Sequence, residues 1–269
     1  MIYVNGQIYN DLNGTISPLD IGLTRGFGVF EHLVTYGKKP FKIEAHLQRL
    51  KFSADRIGCP LPKSLGAIKE IICALINQCP FDEERSIRVI VTGGLSCDYI
   101  ERSAPPSLII CLQPHKELDD TLYESGVSVI TTTIARFLPE VKSLNYLPSM
   151  MALDAAKQSG AFDALFVRDQ QILEGSTSNF FAFKDGALIT PKSGILKGIT
   201  RSVVIEIARE HFPVIEREIG VDEAFEEPFL TSTLKRVLPI RQIDQRHFEL
   251  GLRVRFLQGL FQDHLSCLQ

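Results

Sequence analysis

The chain is organised around the stretch Glu140-Val141-Lys142-Ser143-Leu144-Asn145-Tyr146 and a second stretch about thirty residues later, Leu173-Glu174-Gly175-Ser176-Thr177-Ser178-Asn179. The first stretch presents one lysine among apolar and small side chains, just before a helical pattern. The second presents one carboxylate beside a glycine turn. The plain alternative is that Lys142 is an ordinary surface lysine, so the rest of the chain must decide.

Lys142 and Glu174 suggest one particular chemistry. A lysine amine held away from water is nucleophilic, because desolvation favours its neutral form, and it can then form a Schiff base. A carboxylate on the far side of the same cofactor could keep a pyridine nitrogen protonated. Pyridoxal phosphate (PLP) chemistry needs both groups, so this pair is our first hypothesis for a site.

Composition excludes several classes of protein. The chain has 269 residues, 45% apolar and 23% charged, which is typical of a globular protein with one large or two smaller domains. A net charge of -3 without a Lys/Arg cluster argues against a nucleic-acid partner. The longest apolar runs are strand-sized and no signal peptide is recognisable, so we expect no membrane association. Six cysteines without metal-type spacing indicate reduced thiols in a cytoplasmic protein.

The pattern of elements favours an α+β fold. Asn5-Gly6 between two apolar triplets predicts a hairpin over 2–9, because this dipeptide accepts the positive φ angles of a two-residue turn. Strands and helices are mixed without regular βαβ alternation, which argues against a doubly wound sheet. Apolar residues at helical spacing predict helices over 43–57, 64–78, 148–159, 200–211 and 252–264.

A polar, turn-rich stretch divides the chain. Residues 114–126 contain Pro114, Asp119, Asp120 and Gly126, which makes this stretch the predicted interdomain linker. The predicted domains are then an N-terminal one over 1–113 and a C-terminal one over 127–269.

Three separate fragments could hold a phosphate. Leu196-Lys197-Gly198-Ile199-Thr200-Arg201 opens a predicted helix, whose N–H groups and dipole favour an anion, although Thr200 also suits a plain N-cap. Phe229-Leu230-Thr231-Ser232-Thr233 ends a predicted strand in three hydroxyl residues, which also fits a polar turn. Arg49 lies on the apolar side of its predicted helix, where it is paired, binds a ligand anion or extends to the surface.

Other catalytic motifs are missing from the sequence. The six histidines lie far apart without an HExxH pattern, and no metal is expected. There is no GxSxG elbow and no P-loop. Gly26-Phe27-Gly28 lacks the third glycine and the βαβ setting of a dinucleotide site.

The order and spacing of these fragments closely resemble the fold-type IV PLP enzymes, the class IV aminotransferase family. Its members are branched-chain aminotransferases, D-amino acid aminotransferases and 4-amino-4-deoxychorismate lyases. The resemblance runs nearly end to end, through Val4-Asn5-Gly6, Gly28-Val29-Phe30-Glu31, His46-Leu47-Gln48-Arg49-Leu50, Val141-Lys142-Ser143-Leu144-Asn145-Tyr146, Glu174-Gly175 with Ser178-Asn179, Leu196-Lys197-Gly198-Ile199-Thr200-Arg201, and Phe229-Leu230-Thr231-Ser232-Thr233.

The resemblance implies a smaller N-terminal α/β domain and a larger C-terminal domain with PLP between them, in a homodimer whose partner subunit contributes to the substrate pocket. It implies that Lys142 forms the internal aldimine and shuttles the Cα proton, and that Glu174 binds the pyridine nitrogen. Tyr146 would lie near the ring hydroxyl. The phosphate would be held by Arg49, Ile199, Thr200, Ser232 and Thr233, and the implied cofactor site also includes Ser178 and Asn179.

The loop from Thr92 to Arg102 bears on the substrate. D-amino acid aminotransferases carry an Arg-x-His carboxylate trap in this region, whereas this chain has Asp98 and Ile100 there, which counts against D-amino acids. Aminodeoxychorismate lyases commonly show Arg-Gly-Tyr, of which this chain keeps only Tyr99. Arg102 is either a substitute anion-binding group or a plain loop arginine. The substrate contacts implied are Phe30, Tyr99 and Arg102.

Three functions therefore stay open from the sequence. One is an aminotransferase that removes the Cα proton of an amino acid and passes the amino group to a 2-oxo acid. The second is a 4-amino-4-deoxychorismate lyase of folate biosynthesis, which eliminates pyruvate and leaves 4-aminobenzoate. The third is a PLP-binding protein without turnover, although the intact Lys142 and Glu174 argue against it.

Overall fold

The computed structural model describes residues 1–10, 13–80 and 82–267, and it confirms the α+β fold. The described residues form two compact units. The first consists of Met1–Lys116 and Val141–Tyr146, and the second of Glu117–Glu140 and Leu147–Cys267. The division predicted from sequence follows chain order, whereas the structure groups Val141–Tyr146 with the N-terminal residues, because this segment pairs with one of their strands.

The first unit is built on one antiparallel sheet with the strand order β2-β1-β6-β5-β3-β4. Its elements are β1 (Ile2–Val4), β2 (Gln7–Tyr9), α1 (Ile21–Arg25), β3 (Gly28–Tyr36), β4 (Lys39–Pro40), α2 (Ile43–Arg56), α3 (Leu65–Gln78), β5 (Arg85–Thr92) and β6 (Ser107–Pro114).

The hairpin and the helix predicted at the start of the chain are both confirmed. Asn5 and Gly6 have φ angles of 47° and 106°, and Ile2 lies opposite Tyr9. Helix α2 begins at Ile43 and ends at Arg56, close to the predicted bounds. Its apolar stripe is fully buried, since Leu47 is 2% exposed and Leu50 0%. Burial of one such leucine contributes roughly 1.5–3 kcal/mol, so this stripe fixes α2 and the polar residues beside it.

The second unit holds the larger sheet. Its elements are α4 (Asp120–Ser125), β7 (Val127–Thr132), α5 (Leu147–Gln158), β8 (Asp163–Arg168), β9 (Gln171–Gly175), β10 (Ser178–Lys184), β11 (Ala187–Thr190), α6 (Ile199–Ala208), β12 (Val214–Glu216), β13 (Ile219–Gly220), β14 (Glu226–Ser232), β15 (Arg236–Ile243), β16 (Arg246–His247) and α7 (Leu252–Ser266).

The strands of this sheet close on themselves. Their order is β12-β11-β10-β14-β15-β7-β8-β9-β13, with β16 on β15. Because β9 also pairs with β10, six strands form a ring. Side chains from its strands form one buried cluster, in which Phe180, Leu230 and Leu238 are all 0% exposed. This packing holds the end of β9, where Glu174 lies, against β10.

Helix α4 and strand β15 are among the elements of the second unit that differ from the predictions. Asp119, within the predicted linker, caps helix α4 by accepting a hydrogen bond from the Thr121 N–H at 2.9 Å. Strand β15 is not predicted, because Pro239 interrupts its apolar pattern. In the structure Pro239 lies opposite Phe229 in the antiparallel pair with β14.

Several kinds of site are absent from the described part of the chain. Over residues 1–10, 13–80 and 82–267, no helix is long and apolar enough to cross a membrane. Within the same ranges, no group of three or more His, Cys, Asp or Glu side chains could hold a metal ion. All six cysteines are free thiols.

Candidate active site

Lys142 is fastened to the first unit through its main chain. Its N–H donates to the Ser53 hydroxyl of α2 at 3.1 Å, and its carbonyl accepts from the Phe30 N–H of β3 at 2.9 Å. Ser143 forms a β-bridge with Val29, and Val141 is fully buried. The segment is therefore an added strand on the edge of β3, and its attachment to the fold does not depend on the lysine side chain.

Two aromatic rings stand beside the lysine amine. Lys142 Nζ lies 4.5 Å from the centroid of the Phe30 ring, within cation–π range. The Tyr146 ring meets Phe30 edge to face, with centroids 5.5 Å apart. The structure thus brings together three of the predicted residues, Lys142, Phe30 and Tyr146, within one unit.

Arg49 is held by a buried carboxylate on β3. Glu31, which is 0% exposed, accepts from Arg49 Nε at 2.7 Å and from Nη2 at 2.8 Å. The third partner of Glu31 is His46, whose Nδ1 lies 2.7 Å from Oε2. The hydrogen of this bond is on Nδ1, because a carboxylate can only accept. Burial alone would raise the pKa of Glu31, but the charge and hydrogen bonds of Arg49, with His46, lower it to about 2. Of the sequence alternatives for Arg49, pairing is what the structure shows.

Burial keeps His46 neutral. It lowers the pKa of this imidazole more than the hydrogen bond and charge of Glu31 raise it. Only one full positive charge, that of Arg49, therefore balances Glu31 at neutral pH. The network fixes the direction of the guanidinium group by a two-point contact.

Glu174 lies at the end of β9 in the second unit and is 4% exposed. Its Oε1 accepts from Arg136 Nη1 at 2.7 Å. Its Oε2 accepts from the Leu196 N–H at 2.9 Å and, at the longer distance of 3.4 Å, from Asn179 Nδ2. Both oxygens of this buried carboxylate therefore accept hydrogen bonds, one of them from an arginine.

Asn179 ties this carboxylate to the start of helix α6. Its Nδ2 also donates to the Leu196 carbonyl at 2.7 Å. A Cβ added at Gly198 would lie 2.1 Å from Asn179 Oδ1, so only glycine fits there. Gly198 is the N-cap of α6 and has no side-chain cap hydrogen bond, so the interpretation of Thr200 as the N-cap is wrong. Ile199 and Thr200 instead form the first turn of the helix, where N–H groups lack intrahelical acceptors.

The predicted hydroxyl residues lie next to the Glu174 turn. Asn179 of β10 pairs with Thr231 of β14, so Ser232 and Thr233 follow at the same edge of the sheet. The Ser232 hydroxyl accepts from the Lys235 N–H at 3.2 Å and shapes the β14–β15 turn. The Thr231 hydroxyl is buried and has no hydrogen-bond partner among the described residues.

Ser178 belongs to a different network from Glu174. Its hydroxyl donates to Asp163 Oδ2 at 3.0 Å, and both residues are buried. Lys235 Nζ lies 2.5 Å from the same Asp163 oxygen. Sequence reasoning did not single out Asp163 or Lys235, since one Asp and one Lys 72 positions apart form no motif.

The predicted substrate residues Tyr99 and Arg102 lie on the exposed loop of the first unit. Asp98 Oδ1 accepts from the Ser96 hydroxyl and from the N–H groups of Ile100 and Glu101 at 2.8–2.9 Å, which folds the loop. Arg102 Nη1 donates to the Gly58 carbonyl at 2.7 Å. Tyr99 has a φ of 64° and its ring lies 5.6 Å from the Arg25 guanidinium carbon.

Arg136, which contacts Glu174, is a residue that the sequence interpretation missed. It lies in the irregular approach to Lys142, and its contact with Glu174 spans 38 positions. The one available signal was a single arginine in a turn-rich stretch that precedes the lysine, and that signal is weak.

Residues 28–243 match the model of the amino-transferase class IV family. A putative branched-chain-amino-acid aminotransferase from Methanocaldococcus jannaschii is 32% identical over 97% of this chain and 95% of the relative. A D-alanine aminotransferase from Staphylococcus epidermidis is 29% identical over 98% of each chain. The crystal structure of a branched-chain aminotransferase from Thermoproteus uzoniensis with norvaline superposes with a TM-score of 0.91, at 26% identity over 98% of this chain and 94% of that one.

The chain therefore belongs to the class IV aminotransferase family, with the fold of the fold-type IV enzymes. It is an enzyme, and its activity is that of an aminotransferase. The relatives bear aminotransferase names, so the lyase alternative, which the residues alone left nearly level, is not favoured. Enzymes of this class use PLP.

Proposed function

We propose that this aminotransferase uses PLP, that its Lys142 and Glu174 serve that one cofactor, and that its amino donors are branched-chain L-amino acids. We also propose that it acts as a homodimer. The observation that carries the proposal is the buried Glu174 carboxylate, since Arg136 and the Leu196 N–H fix its position and a carboxylate is the group suited to a protonated ring nitrogen.

The residues present fit the phosphate of PLP as well. The α6 first turn at Ile199 and Thr200 offers backbone N–H groups at a helix N-terminus, where the dipole favours an anion. Ser232 and Thr233 add hydroxyl groups from the neighbouring turn of the same unit. We assign Arg49 to the phosphate too, since Glu31 already orients its guanidinium group.

PLP, when bound, supplies an electron-withdrawing ring that accommodates the electron pair left by removal of a Cα proton. Lys142 Nζ would take that proton from the substrate Cα and return it to the cofactor carbon beyond the amino nitrogen, as a positioned general base and acid. Glu174 holds a proton at the ring nitrogen, and Arg136 with the Leu196 N–H keeps its carboxylate in place. Tyr146 would serve the ring hydroxyl, and the edge-to-face contact with Phe30 orients its ring.

The loop chemistry supports an apolar amino donor. Asp98 puts a negative charge where a carboxylate-binding arginine would stand, and its oxygen is engaged in folding the loop. Ile100, which is 78% exposed, adds an apolar side chain to the same loop. The name of the 32% identical relative points the same way.

A substrate panel tests the proposal directly. Purified protein with added PLP is offered L-leucine, L-isoleucine, L-valine and D-alanine, each with 2-oxoglutarate, and separately aminodeoxychorismate with pyruvate detection. We expect glutamate formation with the branched-chain L-amino acids at rates at least about tenfold above D-alanine. Faster turnover of D-alanine, or release of pyruvate from aminodeoxychorismate, would overturn the substrate assignment.

The assembly is tested on the same preparation. Leu23 of α1 is 64% exposed, and contact with a second copy would remove this apolar side chain from water. Light scattering after size exclusion is expected to give twice the chain mass of 30.1 kDa. A species of single-chain mass in the active fraction would refute the homodimer.

Arg49→Ala separates the phosphate from the rest of the cofactor. We expect the dissociation constant of PLP to rise about tenfold, or 1.4 kcal/mol, while that of pyridoxal, which lacks the phosphate, changes little. Equilibrium dialysis of apoenzyme with each compound measures both. Arg56→Ala, at the end of the same helix, is the control. If PLP and pyridoxal weaken equally, or PLP affinity is unchanged, Arg49 does not bind the phosphate.

A further inference from the structure

Asp163 and Lys235 form an ion pair in the interior of the second unit. The Asp163 side chain is 0% exposed and that of Lys235 9%, and Lys235 Nζ lies 2.5 Å from Asp163 Oδ2. Burial would raise the pKa of Asp163, but the charge and hydrogen bond of Lys235 outweigh it and lower the pKa. Asp163 is therefore held as a carboxylate beside the Lys235 amine, although neither residue belongs to the aminotransferase machinery described above.

The partners of this pair are concentrated in one turn. The β9–β10 turn consists of Ser176 and Thr177, followed by Ser178 at the start of β10. Asp163 accepts from the hydroxyls of Ser176 and Ser178. Lys235 Nζ donates to the Thr177 hydroxyl at 2.7 Å and lies 3.3 Å from that of Ser178. All three hydroxyls between Glu174 and Asn179 are thus bound by the ion pair.

Lys235 also belongs to the hydroxyl turn of β14 and β15. Lys235 follows Thr233 by two residues. Its backbone N–H donates to the Ser232 hydroxyl at 3.2 Å. Lys235 therefore contacts two turns. Its side chain contacts the β9–β10 turn beside Glu174, and its main chain contacts the β14–β15 turn with Ser232 and Thr233.

A role in stability alone does not explain this arrangement. Removing two charges from water is costly, and a buried ion pair is often no more stabilising than apolar residues of the same volume. Groups that must be held to within about 0.5 Å need side chains around them that are themselves locked by hydrogen bonds. The three hydroxyl contacts of the pair provide such locking at the turn beside Glu174.

We propose that Lys235, together with Asp163, is a positioning residue that couples the Glu174 turn to the Ser232 turn, so that the groups for the ring nitrogen and for the phosphate keep a fixed separation. The proposal rests on the proposed use of PLP. It assigns Lys235 no contact with the reacting atoms.

The test compares apoenzyme variants in their binding of PLP. Lys235→Met removes the amine but leaves the Asp163 charge buried alone, which threatens folding. The double variant Asp163→Asn with Lys235→Met removes both charges and avoids that penalty. Lys184→Met is the matched control, because Lys184 also pairs with a carboxylate, Glu223 at 2.7 Å, on a strand of the same sheet away from the turn. Equilibrium dialysis gives the PLP dissociation constant, thermal unfolding of the apoenzyme gives stability, and absorption of the bound cofactor against pH reports the ring environment.

We expect the PLP dissociation constant to rise about tenfold in the double variant, with a shifted pH dependence of the cofactor absorption, and neither change in Lys184→Met. An unchanged constant and spectrum in a folded variant would overturn the positioning role. Loss of folding in both Asp163/Lys235 variants would assign the pair to stability and overturn it as well. If the wild-type apoenzyme binds no PLP, the proposed function itself is refuted. That result is obtained before any variant is compared, so it is distinguished from failure of the positioning role.

Discussion

Lys142→Ala is expected to abolish amino transfer, with kcat falling by about 10⁴-fold or more, because the variant loses both the amine that holds the cofactor and the base that moves the Cα proton. The protein should still fold, because the hydrogen bonds of Lys142 with Ser53 and Phe30 use its main-chain N–H and carbonyl, which an alanine retains. Steady-state glutamate formation from the best amino donor measures the loss, and circular dichroism checks the fold.

Two further variants make the Lys142 result specific. Lys157→Ala removes an exposed lysine in the last turn of α5 and should keep wild-type kcat. Lys142→Arg keeps a positive charge over the Phe30 ring but offers no amine that can lose its proton, so it should be as inactive as the alanine variant. Near-wild-type turnover in Lys142→Ala would mean that another lysine is catalytic.

Glu174→Gln is expected to lower kcat by about a hundredfold or more, since a neutral amide cannot stabilise a protonated ring nitrogen as a carboxylate does. The substitution keeps the size of the side chain, and its amide oxygen can still accept from the Leu196 N–H. The absorption of the bound cofactor should change its pH dependence together with the loss in kcat, and both are measured on the same sample.

The control for Glu174 is another carboxylate of the second unit. Glu223 is paired with Arg217 and Lys184, and the Arg217 hydrogen bond, with that of Lys184, lowers its pKa to about 2 against the effect of burial. Glu223→Gln should therefore cost stability without changing kcat or the cofactor spectrum. Equal losses of kcat in both variants would show that Glu174 acts through stability rather than at the ring.

Local signals made much of the fold predictable. The Asn5-Gly6 turn and the buried stripe of α2 are fixed by backbone conformation and by helical spacing, both of which can be read within a few residues. Strand β15 was not predicted, because Pro239 argues against a strand, whereas the structure accommodates this proline opposite Phe229. Helix α4 was not predicted, because an aspartate such as Asp119 is equally common in turns and at helix N-caps.

The candidate site was predictable where it depends on ordered motifs. Lys142, Glu174 and the hydroxyl turn follow from the order of fragments along the chain. The Arg136 contact with Glu174 and the Lys235 contact with Asp163 span 38 and 72 positions, respectively. Charges so far apart acquire partners only through the strand pairings of the second unit, which a single sequence does not specify. Thr200 was misjudged because a capping threonine and a glycine N-cap two residues earlier give the same local pattern.

The grouping of Val141–Tyr146 with the first unit also affects how the chain is made and how it can be recombined. On the ribosome, Met1–Lys116 emerges first, but its strand β3 gains the partner segment only after Glu117–Glu140 has followed. The first unit is therefore not formed by Met1–Lys116 alone, since it also needs Val141–Tyr146 from later in the chain. An exchange of gene segments at the boundary after Lys116 would separate β3 from its native lysine segment, so the two units cannot be inherited as independent cassettes.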